Sequence, residues 1–394
     1  MRFKYIVSVF SILIVFACTD EVKHEEIPFQ EELSALKAEF APDKRVALLQ
    51  IEAVKKGDTY ILKGESNLPD AVQDFKTKLK QQQITFIDSI QIIPGADLNQ
   101  KTNGVINISV ANLRSKPKHS SELATQATLG TPVKILKKEG EWYYIQTPDK
   151  YLSWVDEGGI TVMTDKRFMA WKTSDKVVYN NTYGFSYEDE TEKETISDLV
   201  AGDVLEVVKR TDAHFVAAYP DGRIALVKHT EAKGFSKWIT SMNVTPDDLV
   251  ATSKTLMGVP YLWGGTSTKG VDCSGFTKTI YFLNGMVIPR DASQQVHTGK
   301  QIDETQNFEN LKKGDLLFFG RKATDTTKEK VVHVGMWIGN HEFIHASNLV
   351  RVSSIDPKAA NYDEYNLNRY LRTKRIFKEE DKAIINLKQM AVFE

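Results

Sequence analysis

Short apolar runs around one amphipathic segment characterise the N-terminal third of the chain. Apolar and polar residues alternate in three runs, as expected for half-buried strands. Val72, Phe75 and Leu79 follow helical spacing after Pro69, a residue that favours the first turn of a helix. The pattern predicts a small α/β unit over residues 45–100. Its predicted strands cover residues 45–51, 59–62 and 84–93.

The middle of the chain contains an internal repeat. Residues 105–242 hold many strand-like runs separated by turn residues, which is typical of small β barrels. A shift of 72 residues places Gly130 on Gly202, Asp149 on Asp221 and four apolar residues on four others. The repeat predicts two tandem copies of one β module.

The C-terminal part of the chain combines helices with strands. Thr245 and Pro246 open one predicted helix, and a glycine-rich loop leads into a second that begins at Cys273 and ends at Asn284. The chain as a whole is therefore predicted to be α+β. Three further strands are predicted at residues 315–319, 331–338 and 342–346.

Composition and charge exclude several classes of protein. The 394 residues include 41% hydrophobic and 26% charged residues, which excludes a disordered chain or a polytopic membrane protein. The 51 basic and 52 acidic side chains give a net charge of −1, so no nucleic-acid partner is expected. Two cysteines are too few for a disulfide scaffold.

The amino terminus is typical of an exported protein. Arg2 and Lys4 precede an apolar run over residues 5–17, which is too short to span a bilayer and fits a secretory signal. Residues 15–18 resemble the lipobox of bacterial lipoproteins, which implies lipidation of Cys18 and a lipid anchor. The alternative is an ordinary signal peptide cleaved nearby. We expect the acidic residues that follow to form a tether.

Cys273 is the candidate nucleophile. Lipidation of Cys18 would leave it as the single thiol of an exported chain, where cysteines normally pair. At a helix start, unpaired N–H groups and the positive end of the helix dipole favour the thiolate and can stabilise an oxyanion. We therefore expect the pKa of Cys273 to lie near neutrality or lower. A buried structural cysteine also fits this position.

Two histidines strengthen the catalytic interpretation. A hairpin centred on residue 339 would place His333 directly opposite His345, on one face of the sheet. One imidazole could then orient the other, giving the nucleophile, base and orienting group that thiol catalysis needs. Zinc bound by Cys273, His333 and His345 is the competing interpretation, although the chain lacks CxxC and HExxH motifs. No cofactor or metal is expected.

The last third of the chain contains ordered sequence blocks at residues 261–265, 272–276, 289–291, 314–316 and 333–336. Together these blocks resemble the NlpC-type bacterial cell-wall cysteine peptidases. The resemblance covers residues 246–378 and implies a papain-like fold in which Cys273 attacks, His333 is the base and His345 is the third residue.

The preceding modules add a second resemblance. Residues 112–115, followed by proline, resemble bacterial SH3-like domains. Tandem SH3-like modules before such a peptidase are similar to γ-D-glutamyl-L-diamino acid endopeptidases of the dipeptidyl-peptidase VI type. That resemblance implies peptidoglycan stem peptides with a free N-terminal L-alanine as substrates. It assigns amine recognition to Asp291, Glu122 and Tyr151, and the rest of the substrate site to Asp272, Ser274 and Tyr261. Ala292 replaces a serine that related enzymes can have.

The sequence thus predicts a monomeric, lipid-anchored peptidase of the cell envelope. An inactive wall-binding or scaffolding protein, and a thiol amidase or acyltransferase acting on another amide, remain open as alternatives. The predicted organisation is a signal peptide (1–17), an acidic tether with a short helix (18–44), a small α/β unit (45–100), two SH3-like β barrels (101–163 and 164–244) and a papain-like domain (245–394).

Overall fold

The N-terminal unit is a three-stranded sheet covered by two helices. The computed structural model describes residues 27–389 and 391–393, so the predicted signal peptide and Cys18 lie outside the described residues. Strands β1 and β2 are antiparallel, and α2 connects β2 to its parallel neighbour β3. The elements are α1 (Gln30–Phe40), β1 (Leu49–Lys56), β2 (Thr59–Ser66), α2 (Pro69–Gln81) and β3 (Phe86–Ile92).

Helix α1 belongs to the core of this unit. Phe29, Leu33 and Leu36 are buried against Phe75 and Leu79 of α2 and against the sheet. The spacing of these three residues places them on one side of the helix, so their burial requires the sheet as a partner. Helix α1 is therefore part of the α/β unit and not of a tether that ends at residue 44.

The first barrel is a seven-stranded sheet in the order β10-β4-β7-β8-β9-β5-β6. Its apolar side chains alternate along the strands and fill one interior, which contains Leu113, Ile135, Ile145 and Val155. The strands are β4 (Asn103–Ile106), β5 (Val110–Arg114), β6 (Leu123–Thr128), β7 (Pro132–Glu139), β8 (Trp142–Gln146), β9 (Leu152–Asp156) and β10 (Ile160–Met163).

The second barrel repeats the strand order of the first. Helix α3 (Asp165–Thr173) joins the two, and α4 (Phe235–Ser241) follows the last strand. The strands are β11 (Lys176–Tyr179), β12 (Tyr183–Tyr187), β13 (Thr195–Val200), β14 (Val204–Arg210), β15 (His214–Ala218), β16 (Ile224–Lys228) and β17 (Ala232–Gly234). Their order is β17-β11-β14-β15-β16-β12-β13, and β8 and β15 start at Trp142 and His214, 72 residues apart.

The C-terminal domain packs a central helix, α6, against an antiparallel six-stranded sheet of order β21-β26-β22-β23-β24-β25. The confirmed α+β class follows from this domain and the barrels. The elements are α5 (Pro246–Thr255), β18 (Thr266–Ser267), β19 (Gly270–Val271), α6 (Cys273–Leu283), β20 (Met286–Val287), α7 (Ala292–Gln295), β21 (Lys300–Asp303), β22 (Leu316–Arg321), β23 (Lys330–Gly339), β24 (Glu342–Ser347), β25 (Leu349–Ser354), α8 (Glu364–Asn368), β26 (Tyr370–Arg375) and β27 (Ile385–Asn386).

Specific contacts hold the first barrel against both of its neighbours in the cleft region. Leu48 and Ile93 of the N-terminal unit are buried against Leu136 and Leu152 of the barrel. On the other side, Gln126 accepts hydrogen bonds from the backbone and side chain of Thr266, at 3.0 and 2.9 Å. These contacts place three separate parts of the chain around one cleft.

None of the helices in the described residues is long and apolar enough to cross a bilayer.

Candidate active site

Helix α6 begins at the candidate nucleophile because Asp272 caps it. The Asp272 carboxylate accepts a 2.7 Å hydrogen bond from the backbone N–H of Gly275, one of the N–H groups that a helix leaves unpaired. Gly275 packs so closely on the preceding loop that a Cβ there would lie 1.9 Å from the carbonyl oxygen of Gly265. The cap and the glycine together fix the position of Cys273.

Burial changes the expected chemistry of Cys273. The thiol is 7% exposed, and its burial, followed by the negative charge of Asp272, raises its pKa to about 12. Hydrogen bonds from the backbone of Val334 and Ser274 lower the pKa, but by less. The expectation of a pKa near neutrality is therefore wrong for the substrate-free enzyme. Desolvation outweighs the helix start.

His333 and His345 contact each other, although not through the predicted pairing. The strands pair Met336 with Ile344, which sets His345 beside Gly335 and two residues away from the position opposite His333. The expectation of directly opposed histidines is wrong, because the turn lies at residues 340–341 and the register shifts between Trp337 and Gly339. This part of the hairpin is therefore centred on residue 340 instead of 339. The rings nevertheless meet diagonally, with Nε2 of His333 2.7 Å from Nδ1 of His345.

Gly335 makes this diagonal contact possible. A Cβ at this position would lie 3.2 Å from the Cβ of His345 and 2.8 Å from the ring of Phe343. A larger residue would push β24 away from β23. The packing of β24 against β23 therefore requires a glycine at position 335, two residues after His333.

Two residues that the sequence analysis missed support His345. Its Nε2 lies 3.0 Å from the hydroxyl of Ser353 and 3.8 Å from a carboxylate oxygen of Asp363. Burial lowers the pKa of His333 to about 3 and that of His345 to about 4, so both rings are neutral at pH 7. Ser353 lies in β25 and Asp363 caps α8, and neither belongs to a recognisable catalytic sequence motif.

All six predicted substrate-binding residues line the same cleft as Cys273. The cleft has a volume of about 650 Å³ and lies where the N-terminal unit, the first barrel and the C-terminal domain meet. Tyr261 lies beside the nucleophile, since a charge on Cys273 contributes, after burial, to raising the pKa of the tyrosine. The six residues are Glu122, Tyr151, Tyr261, Asp272, Ser274 and Asp291.

Arg290 fixes the floor of this cleft. Its guanidinium is fully buried and donates to Asp272 at 2.6 and 3.1 Å and to the hydroxyl of Ser274 at 3.0 Å. A buried ion pair of this geometry holds both partners in one orientation. Arg290 lies in the matching block at residues 289–291, although its role had no sequence signal.

Asp291 has two partners from outside its own domain. Oδ2 of Asp291 accepts from the hydroxyl of Tyr151 at 3.1 Å and from Nη1 of Arg45 at 2.7 Å. The same Nη1 donates to the hydroxyl of Ser293 at 2.9 Å. Tyr151 and Asp291 are thus brought together as predicted, whereas Arg45, 246 residues before Asp291, had no sequence signal.

Glu122 lies across the cleft mouth on the first barrel. Its Oε1 accepts a 2.8 Å hydrogen bond from the indole of Trp263, which belongs to the loop before α6. The next residue, Gly264, has a φ of +81°, and a Cβ added there would lie 2.2 Å from the carbonyl oxygen of Leu123. The close approach of this loop to the barrel closes one side of the cleft.

The zinc interpretation has no support in the geometry. Within the part of the chain that the structure describes, no three His, Cys, Asp or Glu side chains are grouped as metal ligands would be.

Known proteins share both parts of this architecture. Residues 258–372 match the NlpC/P60 family, and residues 109–161 match the bacterial SH3 domain. The crystal structure of an NlpC/P60 family protein from Bacillus cereus superimposes with a TM-score of 0.59 and 25% sequence identity. It covers 70% of this chain and 99% of its own.

Two relatives extend the likeness beyond the catalytic domain. Dipeptidyl-peptidase 6 of Lysinibacillus sphaericus is 27% identical over 66% of this chain and 94% of its own length. Gamma-D-glutamyl-L-lysine dipeptidyl-peptidase of Bacillus cereus is 32% identical over 61% of this chain and 72% of its own. With the site geometry and the family match, this similarity establishes that the chain belongs to the NlpC/P60 family of cysteine peptidases.

Proposed function

We propose that this protein hydrolyses the γ-D-glutamyl–L-diamino acid bond of peptidoglycan stem peptides that carry a free N-terminal L-alanine. The observation that carries the proposal is the shared cleft, in which Cys273 and the acidic pair Asp291 and Glu122 lie at one three-part interface. The names of the Bacillus cereus and Lysinibacillus sphaericus relatives support a dipeptidyl-peptidase activity of this kind.

The first step is attack by the Cys273 sulfur on the γ-glutamyl carbonyl carbon. The mechanism requires the tautomers in which His333 Nε2–H donates to His345 Nδ1 and His345 Nε2–H donates to Ser353, across the observed 2.7 and 3.0 Å contacts. The lone pair of His333 Nδ1 is then free to take the thiol proton. Because burial raises the pKa of Cys273, proton transfer accompanies attack instead of preceding it. The N–H groups at the start of α6 stabilise the oxyanion.

The second step breaks the amide and then the thioester. His333 returns its proton to the departing diamino-acid nitrogen, and the C–N bond breaks to leave an acyl-enzyme on Cys273. Water then attacks the thioester carbonyl and gives one proton to His333, and the thiol is re-formed. His345, held by Ser353, keeps the ring of His333 in one orientation throughout.

Recognition of the free amine explains the acidic end of the cleft. Asp291, oriented by Tyr151, and Glu122, oriented by Trp263, present carboxylate oxygens to the same space. An ammonium group satisfies such oxygens with charge-assisted hydrogen bonds, which a neutral acylated nitrogen cannot replace.

Cell-envelope localisation through lipidated Cys18 belongs to the same proposal.

The decisive experiment is mass spectrometry of L-Ala-γ-D-Glu-L-Lys incubated with the protein and with its Cys273→Ala variant. We expect wild type to release L-Ala-D-Glu and the variant to lose activity by a factor of about 10⁴ or more. Retained turnover by folded Cys273→Ala would contradict the thiol mechanism. Binding without cleavage by wild type would instead favour a scaffolding role, and a different cut site an amidase.

A further inference from the structure

Arg45 links the N-terminal unit to the catalytic cleft. Its Nε and Nη2 donate to the two carboxylate oxygens of Asp43, at 2.8 and 2.7 Å, while Nη1 reaches Asp291 and Ser293 across the domain boundary. The fork of the guanidinium thus binds a carboxylate on each side. This geometry suits arginine and no other residue.

The segment that carries Arg45 is held in place independently of the cleft. The backbone carbonyl of Arg45 accepts a 2.7 Å hydrogen bond from the N–H of Leu152, and that of Val46 accepts one from the side chain of Gln146. Asp43 also accepts a 2.7 Å bond from Gln294. The guanidinium is therefore an ordered part of the cleft wall and not a mobile surface group.

Arg45 stands between two cavities. Together with Lys44 and Ser293, it lines both the cleft that holds Cys273 and an adjoining cavity of about 1170 Å³. The adjoining cavity is also lined by Asp43 and Gln294, whereas Asp291, which would bind the substrate's amine, lines the cleft. The adjoining cavity has room for groups attached to that amine.

We propose that Arg45 is a specificity residue that closes the amino end of the cleft and restricts the enzyme to peptides with an unsubstituted amine. This inference rests on the proposed function. An acyl group on the alanine nitrogen would need the space that the guanidinium occupies between the cavities. The N-terminal unit thereby supplies part of the substrate site.

The charges near Asp291 agree with this role. Asp43, Asp291 and Asp272 carry three negative charges. Arg45 and Arg290, which contact them, carry two positive charges, so one negative charge is left for the substrate's ammonium group. Removing Arg45 would join the cavities and leave Asp43 and Asp291 without this partner. Arg45→Ala should therefore raise activity on acylated peptides relative to activity on free-amine peptides.

The test compares kcat/KM for L-Ala-γ-D-Glu-L-Lys and for its N-acetyl derivative in wild type and Arg45→Ala. We expect kcat/KM for the acetylated peptide, divided by kcat/KM for the free peptide, to be roughly tenfold or more higher in the variant than in wild type. Glu65→Gln is the matched control, because it weakens the 2.8 Å contact of the same unit with Lys137 without touching the cleft. Its ratio should equal that of wild type.

Two results would overturn the inference while leaving the proposed function intact. One is an unchanged ratio in folded Arg45→Ala, and the other is an equal loss on both peptides, which would make Arg45 only a support for Asp291. Wild type that cleaves neither peptide would refute the proposed function, and this inference with it. If Arg45→Ala fails to fold, Arg45→Gln provides the same comparison, because a glutamine side chain is too short to bridge both carboxylates.

Discussion

At the scale of single residues, burial keeps the candidate nucleophile and the candidate base neutral. It raises the pKa of Cys273 to about 12 and lowers that of His333 to about 3, so the two side chains do not form an ion pair in the substrate-free protein. His345 and Ser353, which are linked to His333 by hydrogen bonds, are buried as well. In the mechanism we propose, bound substrate excludes water and presents the carbonyl to which the proton transfer is coupled.

The neutral histidines predict that acid destabilises the protein before its carboxylates titrate. Unfolded histidine binds a proton near pH 6.5, whereas folded His333 and His345 do so only near pH 3 and 4. The unfolded state therefore binds more protons below pH 6.5, and the free energy of unfolding must fall as pH falls through this range.

Urea denaturation at pH 7 and pH 5 measures this effect. We expect wild type to lose more stability between the two pH values than His345→Gln, which has one buried histidine fewer. The two proteins contain the same carboxyl groups, so the contribution of these groups cancels from the comparison. Equal losses in the two proteins would show that the buried histidines do not titrate as their environment requires.

At the scale of elements, the start of α6 is built by tight packing against a loop. Asp272 caps the helix, Arg290 neutralises the cap, and Gly275 lets the loop at Gly265 approach within contact distance. The helix start is thus fixed from three directions. Its position sets that of Cys273 relative to β23.

Gly275→Ala tests this packing against helix propensity. Alanine favours a helix by about 1 kcal/mol over glycine, but its Cβ would lie 1.9 Å from the carbonyl oxygen of Gly265, which must move. We expect a net loss of about 2 kcal/mol in the free energy of unfolding and a strong loss of kcat/KM.

The control is Gly57→Ala in the hairpin between β1 and β2. No atom lies within 4 Å of the added Cβ, and only the φ of +61° opposes the change. This variant should lose about 1 kcal/mol of stability and keep its activity. Full activity in Gly275→Ala would show that α6 does not depend on the loop.

At the scale of the whole molecule, the barrels position one another and the cleft. Asp203, fully buried in the second barrel, accepts hydrogen bonds from Leu129 of the first barrel at 3.1 Å and from Val200 at 2.8 Å. The backbone of Val204 in turn donates to the carbonyl of Leu129. This junction connects directly to β6, whose residues Thr125 and Gln126 contact the catalytic domain.

Asp203→Ala should weaken the junction between the barrels. It removes the carboxylate that accepts from the N–H groups of Val200 and Leu129, of which Leu129 keeps a 3.2 Å bond to the carbonyl of Ser109. We expect a loss of about 2 kcal/mol in the free energy of unfolding, measured by urea denaturation. Thr131→Ala, at the position equivalent to Asp203 in the repeat, should change stability by less than about 0.5 kcal/mol. Similar losses in both variants would argue against a specific role for Asp203.

The sequence by itself determined the local elements and the residue types of the site. Capping residues and helical spacing predicted α5 and α6, and the 72-residue repeat predicted strands that the two barrels share. These signals are reliable because they depend on neighbours in the chain, such as Asp272 beside Cys273 or the stop signal at Asn284. Four of the six cleft residues lie in the matching sequence blocks, whereas Glu122 and Tyr151 were assigned through the resemblance of the first SH3-like module.

Only the tertiary structure decided how these residues behave. Desolvation set the pKa of Cys273, the turn after β23 set the register of the histidines, and folding brought Arg45 to Asp291. Burial and long-range contact depend on surfaces that meet from distant parts of the chain. No spacing within one segment encodes them, whereas caps, repeats and periodicities are complete within a few neighbouring residues.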